Sequence, residues 1–506
     1  MTLDAPELCC LKPFKFNLLT RLMSTPTSKI HTVTEPNEEL LEAQARVCTG
    51  PNQSRPLGLK PGDPDPQRIY SIVLDSLSGS LTGPATRAQI GAFLCAMTLR
   101  RAYPPKTTWS EAETRAFEDH RSRLLSSDPA IRFLIDPCTP LEILQGPEDR
   151  ALLANLGHIL AGEHLSYRAT REVLASVLSP RGDEALKAAV LIGQRMNHEN
   201  YDEFRAYLDA VYAPEDILSV STSSLTTIGE PYNGSARYFK PTCFLAATRA
   251  ALGRPTLLHG VDSAPPKLGI TDEQILRALG ADTQIPLDRA AELLSLPEIC
   301  FAFVSQSVFS PQTYAMLDLR HQIKKRPTWA ASEKAQMLIR STGRNDMVVG
   351  YFHPGYEDKQ LRAMRKRGLD AGIVIKGEEG TSQVSLRVRA PSEARKKTLN
   401  NVEGFRDGVS FALDIDPADL GFNYEQNPRL PEISAEAFAE AGRSALLGEP
   451  GHVLDRIVLN TGTIDWLLGY ESNHIEAISK ARDAIESGRA LAHLDAYIET
   501  SHEASS

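Results

Sequence analysis

Long apolar runs are missing from this chain. No stretch approaches the roughly 18 consecutive apolar residues that a membrane-spanning helix needs. Cysteine is scarce: there are 7 in 506 residues, irregularly spaced and never as a C-x-x-C pair. That excludes a disulfide framework, argues against a structural zinc site, and fits a reducing compartment. Also missing are G-x-S-x-G, H-E-x-x-H, a Walker lysine loop and G-x-G-x-x-G. Their absence removes the usual signatures of α/β-hydrolases, zinc proteases, P-loop NTPases and dinucleotide enzymes. The 12 histidines are scattered, with no pair at the spacing of helix-borne metal ligands. His353, ahead of Pro354-Gly355, reads as a turn residue. Excess positive charge is lacking too. A net charge of −9 makes a broad nucleic-acid-binding face a poor expectation, although it leaves room for a local basic groove.

What remains is an ordinary globular composition, 42% hydrophobic and 24% charged, in a chain long enough for two or more domains. Near the N-terminus, Lys12, Lys15, Arg21 and Lys29 flank hydroxyl-rich Ser24–Ser28, the texture of an organelle (plastid) transit segment. Asp4 and Glu7 count against it, so the expected location is cytoplasmic. Residues 24–66 are polar and proline-rich and offer little apolar surface. Residues 1–66 are therefore assigned to a flexible arm. Helical periodicity marks Ile69–Leu77, Ala88–Arg100, Leu152–Leu178, Glu184–Met196 and Tyr201–Val211, which defines a helical domain over 67–216. Beyond Ile217, short apolar runs alternate with helices. Strands are expected at Cys300–Val304, Met347–Tyr351, Ala371–Ile375 and Val384–Val388, and helices at Cys243–Leu252, Ser332–Ile339, Glu357–Arg367 and His474–Ile498. The fold class is α/β: an N-terminal helical domain, then over 217–506 a mostly parallel sheet covered by helices.

The most informative stretch is Leu257–Gly280. An apolar approach ends at His259-Gly260, a polar loop carries Lys267 and Gly269, and Thr271-Asp272 open a helix with Ile275, Leu276 and Leu279 on one face. A strand, a turn and a helix start that gather a histidine, a lysine and free backbone N–H groups suit an anionic ligand. The residue order His-Gly-x6-Lys-x-Gly, followed by an L-x-A-L-G helix, resembles anthranilate phosphoribosyltransferase. That family belongs to the nucleoside phosphorylase-like phosphoribosyltransferases, and in it this loop lies between the two substrates. Ala189–Phe204 is similar to the family's helical-domain signature, with Arg195, Glu199 and Glu203 in register. Ala88–Arg101 resembles the same signature, as a duplicated module would.

The resemblance implies further sites. Counting back from Thr242, Gly229-Glu230-Pro231-Tyr232-Asn233-Gly234 stands where the family has Gly-Thr-Gly-Gly-Asp-Gly against a pyrophosphate. Pro231 has no N–H to donate, Tyr232 adds bulk, and Glu230 brings negative charge. At the family's Mg²⁺-binding carboxylate pair this chain has Ser382-Gln383, while the adjacent Glu378-Glu379 reads as a solvated acidic turn. Arg320 and Arg326 keep the register of both arginines in a family segment that supplies an arginine to the acceptor's carboxylate, the alternative being a solvated cationic patch. Phe309-Ser310-Pro311 replaces the family's Tyr-His-Pro.

On this resemblance the expected activity is transfer of a phosphoribosyl group to an aromatic acceptor, with degraded donor and Mg²⁺ sites and no assigned catalytic side chain. Gly229, Asn233, Thr242 and Lys267 are expected to face the phosphate donor and His259 and Arg320 the aromatic acceptor, with Gly260 and Arg326 as further substrate-binding positions. The expected partners are phosphoribosyl pyrophosphate or another phosphate, an aromatic acid, and a second copy of the chain. The Ala88–Arg100 and Ala189–Met196 helices are candidates for that homodimer contact. The alternatives are a non-catalytic relative that binds an anion or nucleic acid, and a nucleoside phosphorylase-like enzyme.

Overall fold

Short runs of buried apolar and β-branched residues build the centre of this protein. The computed structural model describes residues 35–139, 147–390, 393 and 398–503. Its strands are β1 (Leu218–Val220), β2 (Ser224–Gly229), β3 (Thr256–Gly260), β4 (Phe301–Ser305), β5 (Ile339–Ser341), β6 (Arg344–Gly350), β7 (Ala371–Lys376), β8 (Asn401–Arg406) and β9 (Val409–Asp414). Seven of them form one sheet in the order β4-β3-β2-β6-β7-β8-β9, and β1 pairs with β5. From β4 through β7 the strands are parallel; β8 and β9 run antiparallel at the edge. Strands β2, β3 and β4 are buried along their whole length, as a parallel sheet covered on both faces requires.

The helical region is tied together by a close helix pair. Helix Arg87–Arg100 packs along helix Glu184–Met196, and Gly91 permits it, since a Cβ there would fall 2.1 Å from the Ala185 carbonyl oxygen. From Ala88 through Leu99 the first helix is buried throughout. The two apolar helices considered for a subunit contact therefore spend those faces on each other, within one chain.

Several expectations are corrected. The arm reading does not hold for the described part of 1–66. Leu40, Ala43, Gln44 and Val47 repeat at helical spacing, and Glu38–Val47 is a helix that buries all four. Residues 1–34 lie outside the described residues. Val384–Val388 is no strand: side-chain oxygens of Asn460 and Asn400 accept from the Val384 and Ser385 N–H groups at 2.7 and 2.8 Å. The sheet instead continues through the β8–β9 hairpin. Its two-residue turn is Asp407-Gly408, at φ 50° and 83°, a strong short-range hairpin signal that sequence reading passed over. Ser332–Ile339 is not one helix but the end of Trp329–Ser332, a 3₁₀ turn at Glu333–Ala335, and the start of β5. His474–Ile498 divides into His474–Glu486 and Arg489–Thr500 at Gly488, whose φ of 75° ends the first helix.

Candidate functional site

Chain order reverses between β2 and β6: from β2 the sheet grows one way through β3 to β4, and the other way through β6 to β7. Ligands of open α/β sheets bind outside the carboxyl ends of the strands at such a switch point. Here that position holds a cleft. Pro231, Tyr232 and Asn233 enter it after β2, and Tyr351, Phe352 and His353 after β6. Gly229 and Gly350 let neighbouring segments close over the strand ends. A Cβ at Gly229 would fall 1.6 Å from the Lys334 carbonyl oxygen, and one at Gly350 2.0 Å from the Thr381 carbonyl carbon.

Behind the cleft, the positions implied to hold a donor form a closed set of internal ion pairs. Glu230 is buried, accepting from the Ser382 hydroxyl and from the Ser382 backbone N–H at 3.2 Å. Lys240 lies 3.1 Å from Asp272 and 3.5 Å from Glu230. Burial alone would lower the Lys240 pKa, but those two carboxylates outweigh it and hold the ammonium above its ordinary value. Lys267 donates to Glu379 at 3.0 Å, and Glu379 also accepts from the backbone N–H groups of Ala236 and Arg237. Glu378 is buried against Arg456 and accepts from Asn427 at 2.6 Å. The acidic turn expected to be solvated is thus spent on internal cations, because a carboxylate this buried needs a charged or N–H partner.

These residues do not fit Mg²⁺. Ser382 is committed to Glu230, and Gln383 donates to the Thr242 hydroxyl at 3.3 Å. Glu230, Asp272, Glu378 and Glu379 each face a cation of this chain, whereas a hard dication needs carboxylate oxygens free to turn towards it. Among the described residues no group of three or more His, Cys, Asp or Glu side chains is placed to hold a metal.

His259 is buried at the end of β3, with Nδ1 2.7 Å from the Tyr232 hydroxyl. Burial pulls its pKa to about 3, so the ring is neutral. Tyr232 lines the cleft and His259 does not; the histidine bonds a cleft residue through that tyrosine. Gly260 pairs in register with Ser305 of β4. Arg320 does line the cleft, but both of its terminal nitrogens donate to Glu333, at 2.9 and 3.3 Å, with both side chains buried. Arg326 differs. It stands exposed at the cleft mouth with no carboxylate partner among the described residues. With the Asn233 amide turned to face it, the amide oxygen accepts from Arg326 Nε at 3.0 Å and Nη2 at 3.2 Å.

Of the eight residues selected from the sequence, the cleft thus gathers Asn233, Arg320 and Arg326. Gly229, Thr242, His259, Gly260 and Lys267 lie behind or beside it. Sequence reasoning missed Lys334, a buried lysine in the cleft wall whose ammonium donates to the Gly350 carbonyl. Burial pulls its pKa to about 8. Also missed was Tyr356, which bonds Arg195 and donates to Glu199 at 2.5 Å. No motif marks either residue; only the topology brings them to the cleft.

Comparison with known proteins agrees with this architecture. The α/β domain model of a glycosyl transferase family ("Glycosyl transferase family, a/b domain") matches residues 238–491, half of the chain. This protein is a member of that family. It is 26% identical over 332 residues to anthranilate phosphoribosyltransferase of Stenotrophomonas maltophilia (strain K279a), covering 65% of this chain and 90% of the relative. With the enzyme of the same name from Burkholderia multivorans (strain ATCC 17616 / 249) it shares 27% over 319 residues, 62% of this chain and 88% of the relative. Among solved structures, anthranilate phosphoribosyltransferase from Thermus thermophilus superposes with a TM-score of 0.55 at 20% identity, over 69% of this chain and 99% of that one. The Saccharomyces cerevisiae enzyme, solved with phosphoribosyl pyrophosphate and Mg, gives 0.57 at 17%, over 69% and 97%. These structural matches share the fold: helical region first, then a mostly parallel sheet with helices. Among its described residues no helix is long and apolar enough to cross a membrane.

Proposed function

We propose that this glycosyl transferase family member binds a small planar anion in the β2–β6 cleft, with Arg326 as the contact to its carboxylate, and does not use a Mg²⁺-bound pyrophosphate donor. One observation carries the reading. Lys240, Lys267 and Arg320 are each paired with a carboxylate of the chain itself, and Arg326 is the cleft arginine left without an ion pair among the described residues. An external pyrophosphate would have to displace Glu379 and Glu230 from buried cations, leaving those carboxylates unpaired at several kcal/mol each by the usual cost, roughly 3 or more. A planar carboxylate at Arg326 displaces only the amide of Asn233, and Tyr232, Tyr351, Phe352 and Tyr356 supply flat apolar walls.

Anthranilate is the probe, since relatives bear its name and the yeast enzyme was solved with its 4-fluoro derivative. Calorimetry is expected to show binding by the wild type and a loss of about tenfold or more in Arg326→Gln. No binding, or binding indifferent to Arg326, contradicts the reading. Phosphoribosyl transfer to anthranilate is the second reading, favoured by similarity extending over 90% of the Stenotrophomonas enzyme. Turnover with phosphoribosyl pyrophosphate and Mg²⁺ would establish it in place of the first.

A further inference from the structure

A second recess opens on the other side of Arg195 and Arg326. One wall comes from Cys48, Thr49 and Gly50, after the first described helix, and the other from Lys324-Lys325-Arg326. Gln53, His198 and His353 add to its polar lining, and among the described residues no aspartate or glutamate lines it. Arg195, Arg326 and His353 line both this recess and the cleft, so the two adjoin across these side chains. The Cys48–Gly50 and Arg195–His198 walls lie outside the matched α/β domain, residues 238–491.

Two of these cations have other work. Lys325 donates to the Ala45 carbonyl at 3.2 Å, satisfying the end of helix Glu38–Val47. Arg195 shares the Tyr356 hydroxyl and lies 3.7 Å from Glu199. Lys324 and Arg326 have no ion-pair partner among the described residues. Gathering these cations around one recess, with Glu199 against Arg195 as the sole ion-pair carboxylate among the described residues, is unfavourable. Burial first, then Arg55 and Arg195, push the Lys325 pKa down. The backbone is constrained as well: His198 and Lys324 hold φ of 59° and 44°, in the left-handed region that favours glycine. The His198 ring lies against Gly50, where a Cβ would come within 2.3 Å of Nε2. The chain thus keeps basic side chains at two positions where the backbone disfavours any side chain.

We propose that this recess is a phosphate subsite, and that the ligand of the cleft is a phosphorylated small molecule. Its planar, carboxylate-bearing end sits beside Tyr232 and Tyr351. Its phosphate sits among Lys324, His198 and Arg326. The second statement rests on the cleft reading given above; the subsite itself does not. A phosphate dianion supplies the counter-charge the recess lacks, and its oxygens accept from ammonium, imidazole and guanidinium donors alike.

The test uses inorganic phosphate and anthranilate as separate probes of the full chain, by calorimetry at low ionic strength. Wild type is expected to bind phosphate, and both Lys324→Gly and His198→Gln to weaken it at least fivefold, with anthranilate affinity held within twofold. Lys324→Gly is the informative variant because glycine fits that φ. Its melting temperature is expected to stay level or rise, so weaker phosphate binding is not misfolding. No phosphate binding by wild type, or undiminished affinity in Lys324→Gly, overturns the subsite. Phosphate binding that depends on Lys324, in a protein that ignores anthranilate, supports the subsite and overturns the cleft reading alone.

Discussion

The Lys267 ammonium lies 3.0 Å from the Glu379 carboxylate, both side chains mostly buried. Burial alone would raise the Glu379 pKa, but Lys267 and two backbone N–H groups outweigh it and hold the carboxyl below its ordinary 4.5. A carboxyl depressed on folding contributes stability that is complete above the unfolded value and lost as pH falls through the folded one. Glu379→Gln leaves Lys267 unpaired and is expected to cost about 3 kcal/mol in urea unfolding at pH 7. The cost should shrink as pH falls from about 4.5 through the lower folded value, where the wild-type carboxyl also becomes neutral.

His259 gives a pH dependence at less acid values. Its folded pKa is about 3 and the ordinary value is 6.5. Above about pH 6.5 neither state is protonated and the group contributes nothing. As pH falls below that, the unfolded chain takes up a proton that the folded chain refuses, at about 1.4 kcal/mol per pH unit down to the folded value. Unfolding free energies of His259→Gln measured from pH 7 to 4 should fall less steeply than those of the wild type. Parallel curves would contradict burial of a neutral imidazole.

Arg320 and Arg326 should separate cleanly. Arg320→Gln breaks a fully buried pair with Glu333, and the expected loss is about 3 kcal/mol of stability. Arg326→Gln removes an exposed guanidinium whose hydrogen-bond partner among the described residues is Asn233. Its stability change should stay within about 0.5 kcal/mol, with the effect falling on anthranilate affinity. The reverse pattern would restore the assignment of Arg320 to the ligand.

Gly229→Ala tests how tightly the Glu333–Ala335 turn closes on β2. A methyl group there would meet the Lys334 carbonyl oxygen at 1.6 Å, backbone against a buried strand. Expression should give little folded protein, or a loss above about 3 kcal/mol. A stable Gly229→Ala protein would show that the turn can move.

How far the sequence was legible depends on the range of the interaction. Elements with strong local periodicity were readable: helix Tyr356–Lys366 was expected one residue late at each end, at 357–367, and β7 one residue short. Val384–Val388 misled because its apolar alternation is real, Val384 and Leu386 being buried. Its backbone partners are asparagine side chains distant in sequence. In the site, Arg326 was visible as a motif remnant and Asn233 as a position of the altered glycine loop. That Arg320 and Lys267 are already paired was not, since Glu333 lies 13 residues and Glu379 112 residues away. Without a fold, Glu378-Glu379 reads as a hydrated turn. Only the β2–β6 switch point brings its surroundings into contact.

The most direct test of the account is calorimetry of phosphoribosyl pyrophosphate with Mg²⁺ on the wild type, paired with an anthranilate turnover assay on the same sample. If internal carboxylates hold Lys240 and Lys267, there is no Mg²⁺-dependent binding and no product, while anthranilate alone still binds. Mg²⁺-dependent donor binding with product formed would contradict it, showing that Glu230 and Glu379 give way to a pyrophosphate.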